Sequence, residues 1–370
     1  MPHAAYLDWN ATAPVRPEVA AAMAEALARC GNPSSVHRFG RAARHALEAA
    51  RAQVATLIGA APAEIVFTSG GTEANQLALR GLKGRRLLVS ALEHDSVRQA
   101  ATDATFIPAT EAGIVDLAAL ERMLAAERRP ALVSLMLANN ETGALQPVAE
   151  AAKLAHTHGA LLHCDAVQAA GKVAVDMQVL GADLLSLSAH KLGGPQGVGA
   201  LAIADGVPLA ALQTGGGQER GRRAGTENLP GIVGFGLACR IAAERLGDYA
   251  GVARLRDRAE RRFAEIAPEA PIYARHVARL PNTLAIGMPG VPAATQVMAL
   301  DLAGVMVSAG AACSSGKVRR SVVLDAMGVS AEAAESAIRI SLGWSTTEAE
   351  IDQLVEAWGA LYARSRANAA

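Results

Sequence analysis

Ile65-Val66-Phe67-Thr68-Ser69-Gly70-Gly71-Thr72-Glu73 governs the reading of the whole chain. The β-branched and aromatic run Ile65–Thr68 predicts a strand, and the stretch Ala74–Leu82 beyond it predicts a helix. Between them stand two glycines, a hydroxyl and a fresh helix N-terminus. Unpaired N–H groups and the helix dipole at such a turn both favour an anion, so it is a candidate phosphate cradle. A glycine turn before a helix is a weak signal by itself, and the rest of the chain has to supply the context.

The same grammar repeats downstream. Further strands are expected at Leu87–Ser90, Leu132–Leu137, Leu161–Asp165, Leu184–Ser188 and Gly199–Ile203, with helices at Leu117–Glu127 and Val148–His158. Strand–helix alternation implies right-handed crossovers and a mostly parallel sheet with helices on both faces. The strands are nearly all-apolar, as expected when both faces are covered. After about Gly247 the texture changes to a charged helix (Val252–Ile266), short segments at Thr283–Ile286 and Val305–Ser308, and a final helical region from about Thr347. The expected division is a large domain over residues 14–246 and a small α+β domain over residues 1–13 and 247–370.

Composition excludes several classes of function. Lys plus Arg and Asp plus Glu both total 35, so the net charge is zero and nothing attracts the whole chain to nucleic acid or anionic lipid. Hydrophobic residues at 51% supply a large core and argue against disorder, while aromatics at 3% give little for stacking bases. No apolar run is long enough to cross a bilayer, and the opening Met1–Asp8 lacks a basic segment followed by an apolar core. Cys30, Cys164, Cys239 and Cys313 are scattered, with no CxxC pair, which suits a reducing compartment better than a disulfide framework or a closed zinc site. A cytoplasmic protein with neither membrane nor nucleic-acid partner is expected.

Polar residues collect just after the apolar strands. Leu87–Ser90 leads to His94, Leu132–Leu137 to Asn140, Leu161–His163 to Asp165 and Gln168, and Leu184–Leu187 to Ser188, His190 and Lys191. In an open parallel sheet the carboxyl ends of the strands share one edge, where ligands bind, so these side chains should converge. A lysine in a partly dry site can lose its proton and form a Schiff base with an aldehyde. An aspartate can pair with a pyridinium nitrogen, and the glycine turn supplies a phosphate site. Together they describe pyridoxal 5'-phosphate, with His94 stacked on its ring and Asn140 on its phenolic oxygen. Singly, each has a plain reading: the aspartate as a helix N-cap, the lysine as a solvated side chain.

At this point the chain resembles a known family. Gly31-Asn32-Pro33-Ser34-Ser35-Val36-His37, Thr68-Ser69-Gly70-Gly71-Thr72-Glu73-Ala74-Asn75, Asn139-Asn140-Glu141-Thr142-Gly143 and His163-Cys164-Asp165-Ala166-Val167-Gln168 are similar to successive motifs of cysteine desulfurases. So are Ser188-Ala189-His190-Lys191, Arg223-Ala224-Gly225-Thr226-Glu227-Asn228, Ala312-Cys313-Ser314-Ser315-Gly316 and Arg339-Ile340-Ser341-Leu342. The match is to the NifS/IscS-like group of the class V aminotransferase superfamily, and it spans nearly the whole chain in order.

The resemblance implies a fold-type I homodimer, α/β, with a mostly parallel seven-stranded type of sheet and a small C-terminal domain. It makes Lys191 the Schiff-base lysine, Asp165 the pyridinium partner and His94 the residue stacked on the ring. Asn140 and Gln168 would contact the phenolic oxygen. Gly71, Thr72, Ser188 and His190 would hold the phosphate with Thr226 of a second copy. Arg339, with Asn140, would bind the carboxylate of L-cysteine, a task the planar guanidinium suits. Cys313 would be the nucleophile, passing sulfur as a persulfide to an acceptor protein for iron–sulfur cluster assembly or thiolation. Three departures stand out: Gln196, where the family commonly has a second lysine, and Trp9 and Trp344.

The neighbourhood of Cys313 supports its part. Ser308–Gly316 consists of small residues with glycine near each end, so it has little to pack, and a thiol there could reach a bound substrate. The complete Cys313 loop stands against a transaminase or selenocysteine lyase on the same fold. Presence of Lys191, Asp165 and Arg339 stands against a non-catalytic relative.

Overall fold

The computed structural model describes residues 4–310 and 320–369. Strands β1 (Ala5–Tyr6), β2 (Ile65–Thr68), β3 (Arg86–Ser90), β4 (Thr105–Ile107), β5 (Ala131–Met136), β6 (Leu161–Asp165), β7 (Leu184–Ser188) and β8 (Gly199–Ile203) come first. Then follow β9 (Thr283–Gly287), β10 (Val305–Met306), β11 (Ser308–Ala309) and β12 (Ala337–Ser341).

Seven strands form the central sheet in the order β2-β8-β7-β6-β5-β3-β4. β8 runs antiparallel to both its neighbours and every other pairing is parallel. β5, β7 and β8 are buried along their entire length, because helices cover both faces. Val133, Leu135, Leu185 and Leu187 turn one way, into a core shared with the helices Arg38–Leu57, Val148–Thr157 and Leu229–Glu244. Leu132, Leu184 and Leu201 turn the other way, against Leu77 and Ala78 of the helix Gly71–Gly81. Burying each such side chain contributes about 1.5–3 kcal/mol, which sets the register of the sheet and so fixes where each strand ends.

A second core gathers Phe263, Ile286, Ile340 and Trp358, with Phe263 and Trp358 rings 4.8 Å apart. Here β11, β12 and β9 form an antiparallel sheet packed against the helices Tyr249–Ile266 and Ala293–Leu302, while the helix Glu348–Ala369 packs on those helices and on β10 and β1. The N-terminal segment joins this core: β1 pairs in parallel with β10, Ala5 opposite Val305, and Asp8 bridges to Ser341.

The structure differs from the sequence reading in details with local causes. β4 is only three residues long, at the sheet edge with Phe106 exposed, too short for a period to show. The expected segment Val305–Ser308 is split between β10 and β11, which serve different sheets. The helix expected to begin at Ala74 begins at Gly71, directly on the second glycine. That last difference brings the helix N-terminus onto the strand end. Among the described residues, no helix is long and apolar enough to cross a membrane.

Candidate active site

The carboxyl ends of β2, β3, β5, β6 and β7 face a common edge, and a cavity of about 330 Å³ opens there. Gly71, Thr72, His94, Asn140, Asp165, Gln168, Ser188, His190, Lys191 and Arg339 all line it, so ten of the expected site residues meet in one place. Thr226 does not: it lines a separate hollow with Ser69, Arg223 and Glu227. Cys313 lies outside the described residues.

Lys191 ends a single 3₁₀ turn, Ala189–Lys191, immediately after β7. Its Nζ donates to the carbonyl oxygens of Asn10 at 2.6 Å and Ala11 at 2.8 Å. Both acceptors are neutral. Burial, followed by the nearby Arg339 charge, brings its pKa down to about 8, against the upward pull of Asp8 and Asp165. A large fraction of this lysine is therefore a free amine in mildly alkaline solution.

Asp165 closes β6. Its Oδ1 accepts from Val167 N at 2.9 Å, and its Oδ2 accepts from Asn75 Nδ2 at 2.7 Å. The same Asn75 nitrogen donates to Ser96 Oγ at 2.8 Å. Ser96 stands 2.8 Å from His94 Nδ1, which also accepts from Ser96 N at 3.1 Å. A backbone N–H can only donate, so Nδ1 is the unprotonated nitrogen and the proton sits on Nε2. Asn75 and Ser96 thus tie the carboxylate and the imidazole into one chain.

At the opposite end, Gly70 provides no side-chain cap for the helix Gly71–Gly81, so the first-turn N–H groups are free to meet an anion. A Cβ on Gly71 would lie 2.9 Å from Val167 Cγ2 and 3.4 Å from Ser188 Cβ, inside the space the cradle leaves open. A more open hollow continues outward past Thr72, Ser188, His190 and Gln196. His190 Nδ1 lies 3.2 Å from Thr12 Oγ1, and burial holds its pKa down near 4, so it is a neutral imidazole at physiological pH. Gln196, the departure from the family pattern, leaves the mouth of this hollow without an added positive charge.

Arg339, on β12, brings the second core to the cavity. Its Nη2 donates to Asp8 Oδ1 at 2.8 Å and its Nη1 to the carbonyl of Asn140 at 3.1 Å. Among the described residues its buried Nε has no partner, which leaves a donor for a ligand. Asn140 is displayed by Asn139, whose Oδ1 accepts from the N–H groups of Glu141 and Thr142 at 2.9 and 3.0 Å.

A carboxylate, an amine of lowered pKa, an imidazole, an uncapped helix N-terminus shaped by glycine and a spare guanidinium donor fit pyridoxal 5'-phosphate together with an amino-acid carboxylate. Sequence reasoning missed Asp8, Asn10, Asn75 and Ser96, which position the others. The visible signal was the run Asp8–Thr12, where polar side chains follow directly on a short apolar segment.

The chain is similar to known proteins over nearly its whole length. The family model described as Aminotransferase class-V matches residues 5–354. A cysteine desulfurase of Cereibacter sphaeroides is 48% identical over 366 residues, covering 95% of this chain and 94% of that protein. The X-ray structure of a NifS-like protein from Rickettsia africae has a TM-score of 0.92 and 36% identity, covering 97% of this chain and 99% of that one. SspA, solved in complex with cysteine, has a TM-score of 0.76 and 30% identity, covering 91% of this chain and 98% of its own.

Proposed function

This chain belongs to the class V aminotransferase family, among its cysteine desulfurases, and from that membership we propose that Lys191, Asp165, His94, Arg339 and Cys313 together convert L-cysteine to L-alanine. The observation that carries the reading is the convergence of a low-pKa lysine, an aspartate and an uncapped glycine turn on one cavity.

Pyridoxal 5'-phosphate, when bound, supplies the electron sink that weakens bonds to the amino acid's α- and β-carbons. Lys191 would hold its aldehyde, Asp165 its ring nitrogen, and His94 would lie against the ring. Asn140 and Gln168 would reach its phenolic oxygen. Gly71, Thr72, Ser188 and His190 would hold the phosphate, with Thr226 of a second copy. Arg339, locked in place by Asp8, would bind the substrate carboxylate with help from Asn140. As a free amine, Lys191 is the base suited to take up the α-proton and to return it to the α-carbon when alanine forms. The Cys313 thiolate would attack the substrate sulfur: an S–S bond forms, the C–S bond breaks, and the carbon left behind takes up a proton to become the methyl group of alanine. Cys313 is left as a persulfide, which an acceptor protein in iron–sulfur cluster assembly or thiolation then consumes.

Two copies are needed on this reading. Thr226 stands outside the cavity of its own chain, and Leu27, Val36 and Phe39 are 70, 87 and 62% exposed around the Gly31–His37 motif. Such an apolar surface suits a homodimer contact. The separate cores support a large domain of residues 14–246 and a small one of residues 1–13 and 247–370. We infer a cytoplasmic setting, which is supported by Cys30, Cys164 and Cys239 forming no disulfide among the described residues.

The test is to measure alanine and sulfide released from L-cysteine with a reductant, in cofactor-loaded wild type and Cys313→Ala. Equimolar products from the wild type, lost in a variant that keeps its cofactor absorbance, are expected. Full activity in Cys313→Ala would sink the assignment.

A further inference from the structure

Behind the cavity lies a lysine that the proposed reaction does not use. Lys172 is 3% exposed and is not part of the cavity wall. Its Nζ stands 2.8 Å from Gln168 Oε1, 3.0 Å from the Gln168 carbonyl oxygen and 3.3 Å from Asn10 Oδ1. None of these partners is a carboxylate. Removing an amine from water without an acid beside it is costly, so the geometry has to return something.

What it returns is the orientation of two amides. An amide side chain turned end for end keeps its shape but exchanges a donor for an acceptor. At Gln168 both ends are fixed: Oε1 accepts from Lys172, and Nε2 donates to the Asn10 carbonyl at 3.0 Å. One N–H of Nε2 remains, on a side chain that lines the cavity. At Asn10, Oδ1 takes both Lys172 and Asn282 Nδ2, which leaves Nδ2 to donate to the Asn140 carbonyl at 3.2 Å. The Asn10 backbone oxygen is also an acceptor for Lys191.

Resting on the cofactor reading above, we propose that Lys172 is a positioning residue that locks Gln168 with an N–H turned to the cavity, where it donates to the phenolic oxygen of bound pyridoxal 5'-phosphate. Burial, with the charges of Lys191 and Arg339, pushes the Lys172 pKa well below its usual value. A neutral amine still carries hydrogens for the two shortest contacts, so the lock holds in either charge state.

The experiment titrates the absorbance of the cofactor-loaded protein from about pH 6 to 10 in wild type, Lys172→Met, Gln168→Leu and the double variant. Donation to the phenolic oxygen favours its ionised form, so losing the lock raises the midpoint by about 0.5–1 pH unit. The cofactor dissociation constant should rise about three- to tenfold. With Gln168→Leu already present, Lys172→Met should add less than about a third of its single-variant shift, because it acts through that amide. Lys172→Gln, which keeps a donor over Gln168, should hold the midpoint within about 0.3 unit of wild type.

Independent, additive shifts overturn the proposal, as does an unchanged midpoint in Lys172→Met beside a shifted one in Gln168→Leu. If Lys172→Met does not fold, Lys172→Gln carries the test: a shift as large as that of Gln168→Leu overturns it. A wild-type protein that takes up no pyridoxal 5'-phosphate brings down the cofactor reading and this proposal together. Normal loading with an indifferent Lys172→Met brings down this proposal alone.

Discussion

Lys191 shows how a side chain acquires chemistry from what surrounds it. Burial, followed by the charge of Arg339, brings its pKa down to about 8, and its hydrogen-bond partners are neutral carbonyls. Only the free amine attacks an aldehyde, and it is populated above that pKa. Cofactor uptake by the unloaded protein should therefore accelerate about tenfold per pH unit as pH rises from about 6 to 8, then level off. Stopped-flow measurement of uptake against pH checks this, and a flat profile would contradict the lowered pKa. Glu141 shifts the other way for a related reason: burial raises its carboxyl to about 7 despite Ser321 as donor and the charge of Arg339. It is neutral in the folded protein at acid pH and has to ionise in a buried place as pH rises. The stability the neutral form retains is lost between the unfolded pKa near 4.5 and the folded pKa near 7. Glu141→Gln should thus gain about 1–3 kcal/mol over wild type at pH 8 but little at pH 4.5, read from denaturation curves at both.

Elements position these residues, and here the helix Gly71–Gly81 is decisive. A Cβ at Gly71 would press on Val167 and Ser188, so Gly71→Ala should shift the first turn and weaken the phosphate contact. The expected result is about a tenfold rise in the dissociation constant of pyridoxal 5'-phosphate, with the binding of phosphate-free pyridoxal unchanged. Equal loss for both ligands would make the effect a general one on the fold. The strand ends that build the site were legible because all-apolar runs and the polar residues after them are local patterns. What escaped was non-local. Asn10 meets Asn140 and Thr283, and Asn75 meets Asp165, across 130, 273 and 90 positions of chain, and no periodicity encodes such pairs. β1 and β12 escaped for local reasons: β1 is two residues long, too short for a period to show, and β12 stands in the sequence as the motif around Arg339 with no strand expected there.

At the level of the assembled molecule, Thr226 and Lys191 belong to different sites if the protein is a dimer. Thr226→Ala and Lys191→Ala should each be defective alone. Mixed after unfolding and refolding together, they should regain about a quarter of wild-type turnover, since roughly half of random pairs contain one intact site. Failure of the mixture to exceed the two parents would place Thr226 in its own chain's site. The N-terminal segment has an equally wide reach. It supplies both carbonyls on Lys191 and the carboxylate that fixes Arg339, yet β1 pairs with β10 at Val305 and Asp8 bridges to Ser341. The segment around Asp8 therefore waits for β10 and β12, which follow it far along the chain. A growing chain that has emerged only through β8 carries the glycine cradle and Lys191 but neither β10 nor β12 to anchor the segment around Asp8, so the complete site forms only once β12 has emerged.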